Sequence, residues 1–328
     1  KQGLIGMLLG DIIGRMGGLS TISKCTNSGE VASLTGTRTG GIVGFGARDL
    51  IISDCKNTGD VTGKGMFVGG IVGQNVKQII NCGNEGTVTS EGNGVGGILG
   101  SASANTEIIG SYNTGNVAGN GHVGGISGTG YLVKVENCYN KGKVEAASAT
   151  ATTGVGGLVG TKATSYSLAI TNSYNAGEVS VKAGGETVSV GEIIGYGDGK
   201  EGKIATITNT YYLKNADENQ RSIGSIKAGV VHEDSSQSKT LAELSEMASV
   251  LGSVYQNSCG GAVFTSQTAT EHTFGEWTED NATFTDPGTQ TRTCEKCGFV
   301  EEKTTPATGV AITIQSIDDI GEPVTLLS

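Results

Sequence analysis

A ten-residue string, Ile/Val-x-x-(Cys/Ser)-x-Asn-x-Gly-x-Val, constrains this chain more than any other feature. It occurs six times, with its Asn at Asn27, Asn57, Asn84, Asn113, Asn140 and Asn175. A degenerate seventh copy begins at Ile207 and runs into Tyr211, Tyr212 and Leu213. Between the strings lies a second motif, Val-Gly-Gly-Ile-Val-Gly, clearest at 68–73, 95–100, 123–128 and 155–160. Gly10–Gly14, Gly40–Gly44 and Gly191–Gly195 share its phase, the last with Glu192 in place of the second Gly. The first periods, Cys25 to Cys55 and Cys55 to Cys82, are 30 and 27 residues. A period of this size holds a few short strands and their turns, one coil of a solenoid. The sequence therefore predicts an all-β fold, a parallel β-helix or β-solenoid of about seven coils, each rising about 4.8 Å.

Column by column, the repeat reads as core and edge. Ile42, Ile71, Ile98, Ile126, Leu158 and Ile193 form one inward aliphatic column. Ile22, Ile52, Ile79, Ile108, Val135, Ile170 and Ile207 form another. The six Asn residues are expected to stack as an amide ladder, with the Gly two residues later at positive φ. Cys25, Cys55, Cys82 and Cys138 share a column with Ser111, Ser173 and Thr210. Cys138 has only Ser neighbours in that stack, so buried thiols are expected rather than disulfides. The next column carries Tyr112, Tyr139, Tyr174 and Tyr211. These are the candidate binding residues: turned outward, they form an aromatic strip for a glycan or peptide, and turned inward, a structural stack.

The repeat resembles the GLUG repeat, a glycine-rich unit of bacterial surface proteins that include adhesin-like proteins and some immunoglobulin A proteases. The resemblance covers about residues 10–213. It implies a secreted or cell-wall-associated location and leaves the activity open. No protease motif accompanies it, since His232-Glu233-Asp234 lacks the second His of a zinc-binding His-Glu-x-x-His helix. The column before each closing Val mixes Glu30, Asp60, Thr87, Asn116, Lys143 and Glu178, a solvated edge rather than the convergent acids a glycosidase needs. His122 falls in a repeat turn. No catalytic residue and no cofactor is expected.

Composition narrows the partners. With 22 basic and 32 acidic residues the net charge is −10, so nucleic acid is not the expected partner. No apolar run is long enough to insert in a membrane. A host glycan or an extracellular protein is the class of partner that fits.

The repeat region spans 1–213, and a capping segment follows over 214–257. There Thr240 and Glu243 make a capping box, and Leu241, Leu244, Met247, Ala248 and Leu251 follow at helical spacing. This predicts a helix over the end of the solenoid. Residues 258–306 form a small Cys-containing unit with Cys259, His272, Trp277 and Cys294-Glu-Lys-Cys297-Gly298. It resembles a module common in surface proteins of Gram-positive gut bacteria, with Phe284 where that module carries a further Cys. His272, Cys294 and Cys297 are candidate metal ligands, Cys259 being needed to complete a zinc set; a disulfide or free thiols are the alternatives. Residues 307–328 read as a linker and the start of another module, Ile317–Leu326. The sequence thus suggests a non-catalytic adhesive or spacing segment of a surface protein. Its alternative is the accessory region of a large surface protease or glycan-active enzyme.

Overall fold

The computed structural model describes residues 20–34, 36–149, 152–162, 167–184, 189–198, 205–217, 219–227 and 232–309. The motif at Gly10–Gly14 and the segment Ile317–Leu326 lie outside the described residues. Two compact units divide the chain, 1–269 and 270–328.

The first unit is the predicted parallel β-solenoid, with about 7 turns. Its strands fall into three parallel sheets, one of 19 strands and two of six. Register keeps the repeat columns aligned: Ile22 pairs with Ile52, Ile52 with Ile79, Ile79 with Ile108, Ile108 with Val135, Val135 with Ile170 and Ile170 with Ile207. These residues are buried together with the second aliphatic column. A separate core of valines joins Val61, Val88, Val117 and Val144 to Val68, Val95, Val123 and Val155. Burying a side chain of this size is worth about 1.5–3 kcal/mol, so each coil is held largely by its own Ile and Val rungs.

The Asn ladder is present and has a direction. Each Nδ2 donates to the Oδ1 of the next coil's Asn, at 2.7–2.8 Å from Asn27 through Asn175. The second amide hydrogen goes to the carbonyl two residues on, as in Asn113 to Gly115 at 2.7 Å. The second Gly of each Gly-Gly pair makes room for this amide. A Cβ on Gly70 would lie 2.3 Å from Asn84 Cγ and 2.2 Å from Gly97 O. The seventh coil has Tyr212 where earlier coils have Asn, and there the Gly position becomes Glu192, whose Oε2 accepts from Asn175 Nδ2 at 3.4 Å. Burial raises the Glu192 carboxyl above its ordinary range, against hydrogen bonds from Gln220 and Asn175 that lower it.

One backbone expectation is corrected. The Gly of Asn-x-Gly is not at positive φ. It is required because coils approach closely there, a Cβ on Gly86 falling 2.1 Å from Gly59 O. The left-handed position is instead the residue before the Cys column: Lys24, Asp54, Asn81, Gly110, Asn137, Asn172 and Asn209, with φ between 44° and 60°. Asn, Asp and Gly fill six of these seven places because they tolerate that conformation best.

Cys55, Cys82 and Cys138 are buried thiols, with Ser111, Ser173 and Thr210 buried in the same column. The column does more than fill space. Cys82 N donates to Ser111 Oγ at 3.1 Å and Cys138 N to Ser173 Oγ at 3.0 Å. Each heteroatom in turn donates to a carbonyl two residues back, as Cys82 to Ile80 at 3.3 Å and Ser111 to Ile109 at 3.1 Å. Cys and Ser interchange because both supply this small donor–acceptor. Burial pushes the Cys138 thiol up to about 12, which keeps it protonated.

Candidate binding site

Outside its cores, the solenoid carries a lateral groove of about 700 Å³. Corner residues line one side, with Phe67, Gly94 and His122 at φ 64°, 78° and 51°. The paired column Phe45, Gln74, Ser101 and Thr129 lines the other. A bulky Phe held in the left-handed region is strained, and such strain concentrates at functional sites. Phe45, Met66 and Tyr131 also line the groove and are among the large apolar side chains left exposed, at 38%, 45% and 38%.

The charge of the groove opposes that of the chain. Arg38 and Arg48 line it, and among the described residues no Asp or Glu does. The Arg38 guanidinium sits 4.6 Å from the Phe45 ring centre and its Nε donates to Gln74 Oε1. His122 is half-buried, its Nδ1 2.6 Å from Thr161 Oγ1, and burial lowers its pKa so that the ring is neutral at neutral pH. Arginines, flat apolar faces and the amides of Gln74, Asn75 and Asn93 together suit an anionic ligand with apolar faces. Sequence reasoning missed this site, because Phe45, Met66 and Tyr131 do not recur from coil to coil, the Phe45 column holding Gln74, Ser101 and Thr129 in later coils.

The Tyr strip was the sequence's own candidate, and it is covered. Tyr112, Tyr139 and Tyr174 stack with ring centres 5.3 and 5.2 Å apart. Tyr139 and Tyr174 are fully buried. Over them lies the segment predicted to cap the end of the solenoid. Its helix is broken into α1 (Leu241–Ser245) and α2 (Ala248–Leu251), and a small antiparallel pair, Tyr255–Gln256 with Val263–Phe264, follows. Leu244, Met247, Leu251, Tyr255 and Phe264 share one apolar cluster with the tyrosines. Tyr139 Oη donates to Gln267 Oε1 at 2.7 Å, Tyr174 Oη to Ala262 O, and Tyr255 Oη to Asn172 O at 3.0 Å. Tyr211 is half-buried beside the same cluster, its Oη donating to Asn209 Oδ1 at 2.9 Å. The platform is occupied by the chain's own segment, which buries its apolar side chains on the stacked rings.

Of the other candidates, His232–Asp234 is a strand rather than a helix. Lys143 bridges Glu145 and Glu178 at 3.1 and 3.3 Å, a solvated ion network. In the second unit, His272, Cys294 and Cys297 come together, with Cys297 Sγ 3.2 Å from His272 Nδ1. Cys259 is buried near the end of the first unit.

Fold and groove together define a class, a parallel β-solenoid of stacked sequence repeats bearing a lateral cleft. Among known proteins, no family model and no curated protein matches the chain. Among solved structures it is similar to the crystal structure of a "putative immunoglobulin A1 protease" from Bacteroides ovatus. The likeness has a TM-score of 0.51 and 21% identity and covers 76% of each chain. It is a likeness of fold.

Proposed function

We propose that this chain is a non-catalytic binding segment of a secreted or cell-surface bacterial protein, in which the solenoid holds the Arg38–Tyr131 groove rigid for an acidic extracellular glycan. The observation that carries this reading is a groove lined, among the described residues, by two arginines and no acid, on a chain of net charge −10. Carboxylates of uronic or sialic acids pair with guanidinium groups, and sugar rings lie against Phe45 and Tyr131. Hydrolysis needs a pair of carboxylates or an activated nucleophile at the bond, and the groove lining offers neither among the described residues. The repeat columns support a GLUG-type assignment and with it a surface location. The likeness to a chain named as a protease supports the second reading, an accessory region of a larger surface enzyme.

Retention on an immobilised uronic-acid polysaccharide tests the proposal. The full chain should bind at low salt and elute as ionic strength rises, because exposed charge pairs are screened. An Arg38→Ser/Arg48→Ser variant should keep its β-type circular dichroism and lose retention. Unchanged binding by that variant refutes the groove as the site.

A further inference from the structure

The second unit has a construction problem that its apolar residues do not solve. Over its described residues, 270–309, the buried positions are Gly288, Cys294 and Cys297. Phe284 and Val300 are 46% and 52% exposed. A unit this small cannot supply an adequate apolar core and needs a staple. Among the described residues its regular structure is one hairpin, Gly288–Thr293 with Val300–Thr305, and Cys294 and Cys297 sit in the connection.

We propose that His272, Cys294 and Cys297 form a structural zinc site that staples the preceding segment to this hairpin. Three features carry it. First, the three donor atoms lie within 4.8 Å of one another. Zinc bonds of 2.0–2.3 Å at tetrahedral angles place donors about 3.5–3.8 Å apart, so the set is close to coordination geometry. Second, the connection is shaped to hold a thiolate turned inward. Gly298 N donates to Cys294 O at 2.9 Å, Gly298 takes φ 76°, and Cys294 N donates to Phe299 O at 2.8 Å. Third, the His272 ring is oriented by stacking on Phe299 at 4.7 Å and lies 5.6 Å from Phe274.

A Cys294–Cys297 disulfide is the competing use of these residues. It would close only a four-residue ring and leave His272 and the segment before the hairpin untied, whereas a zinc ion closes the loop from 272 to 294. Zinc takes four donors in structural sites, so these three side chains leave one position for a further donor.

Elemental analysis of the full chain, prepared with zinc under reducing conditions and dialysed, tests the site. About one zinc per chain is expected. Cobalt(II) in place of zinc should give the visible bands of tetrahedral thiolate coordination. His272→Ala and Cys297→Ser should each weaken retention by about 100-fold or more, since even outer-shell changes cost 10–100-fold. A Cys25→Ser/Cys55→Ser variant should keep the ion, separating this site from the solenoid thiols. Because the variants could lose the hairpin for other reasons, the wild-type chain carries an independent readout. Chelation should abolish hydrogen-exchange protection of the amides in 288–305 and leave the solenoid's unchanged. Absence of stoichiometric zinc, or a Cys294–Cys297 disulfide in zinc-treated protein, overturns the proposal.

Discussion

Replacing Asn113 by Ala tests whether the amide ladder is a source of stability or merely a filled column. Asn113 donates to Gly115 O and Asn140 Oδ1 and accepts from Asn84 Nδ2, all at 2.7–2.8 Å and all out of water. Truncation strands an amide hydrogen on Asn84 and leaves Asn140 Oδ1 and Gly115 O without their donor. Leaving a buried polar group unsatisfied costs about 1–3 kcal/mol, and partial relaxation brings the sum to about 2–5 kcal/mol. Thr114, the next residue, is exposed, and Thr114→Ala should cost less than about 0.5 kcal/mol. Asn113→Asp should be worse than Ala at neutral pH, since a carboxylate turns an acceptor toward Asn140 Oδ1, and should recover in acid as it is protonated. Urea unfolding followed by circular dichroism gives the midpoints. Hydrogen exchange at residues 83–86 and 139–142 shows whether the loss centres on adjacent coils, as nearest-neighbour coupling requires. Equal shifts for Asn113→Ala and Thr114→Ala would refute the reasoning.

The remaining predictions are more local. Cys82→Ser should be nearly neutral and Cys82→Ala should cost about 1–3 kcal/mol, because only the latter loses the acceptor for Cys55 N; equal melting temperatures would reduce the column to a size requirement. Gly70→Ala should cost more than about 3 kcal/mol, since the neighbours of the new Cβ are backbone and a buried amide; calorimetry showing a smaller loss would mean that the coils can part. Glu192 has a carboxyl raised by burial, so its native state holds the proton more tightly than the unfolded chain. Its contribution is therefore full below the unfolded carboxylate range and falls as pH rises through the native pKa. The stability of the natural chain relative to Glu192→Gln should thus decline as pH rises above the unfolded carboxylate range, and a difference in melting temperature that stays flat with pH would contradict it.

What could be read from sequence was what repeats. The Ile columns, the Asn ladder and the inward Cys–Ser column recur in phase, so each position is specified several times over. The left-handed column was hidden because Lys24 and Gly110 blur an otherwise Asn and Asp pattern. Asn-x-Gly misled because Gly serves close approach as well as positive φ, and only the coil-to-coil distance at Gly59 and Gly86 distinguishes the two. The Tyr column was located correctly, but what covers it is a segment more than 60 residues beyond Tyr174, too short and too broken to show where it packs. The groove depends on side chains that occur once each, such as Phe45 and Tyr131, and periodicity carries no information about them.

The direction of the Asn ladder bears on how such a chain can change length. Every coil from Asn27 to Asn175 presents the same donor upward and the same acceptor downward, so a duplicated coil inserted among them would find its partners already in place. Glu192 ends this series. Glu192 Oε2 accepts from Asn175, and with Tyr212 in the Asn position no further amide continues the series. Growth and shrinkage by whole repeats therefore leave the ladder intact anywhere between Asn27 and Asn175, and Glu192 marks the end of the amide series.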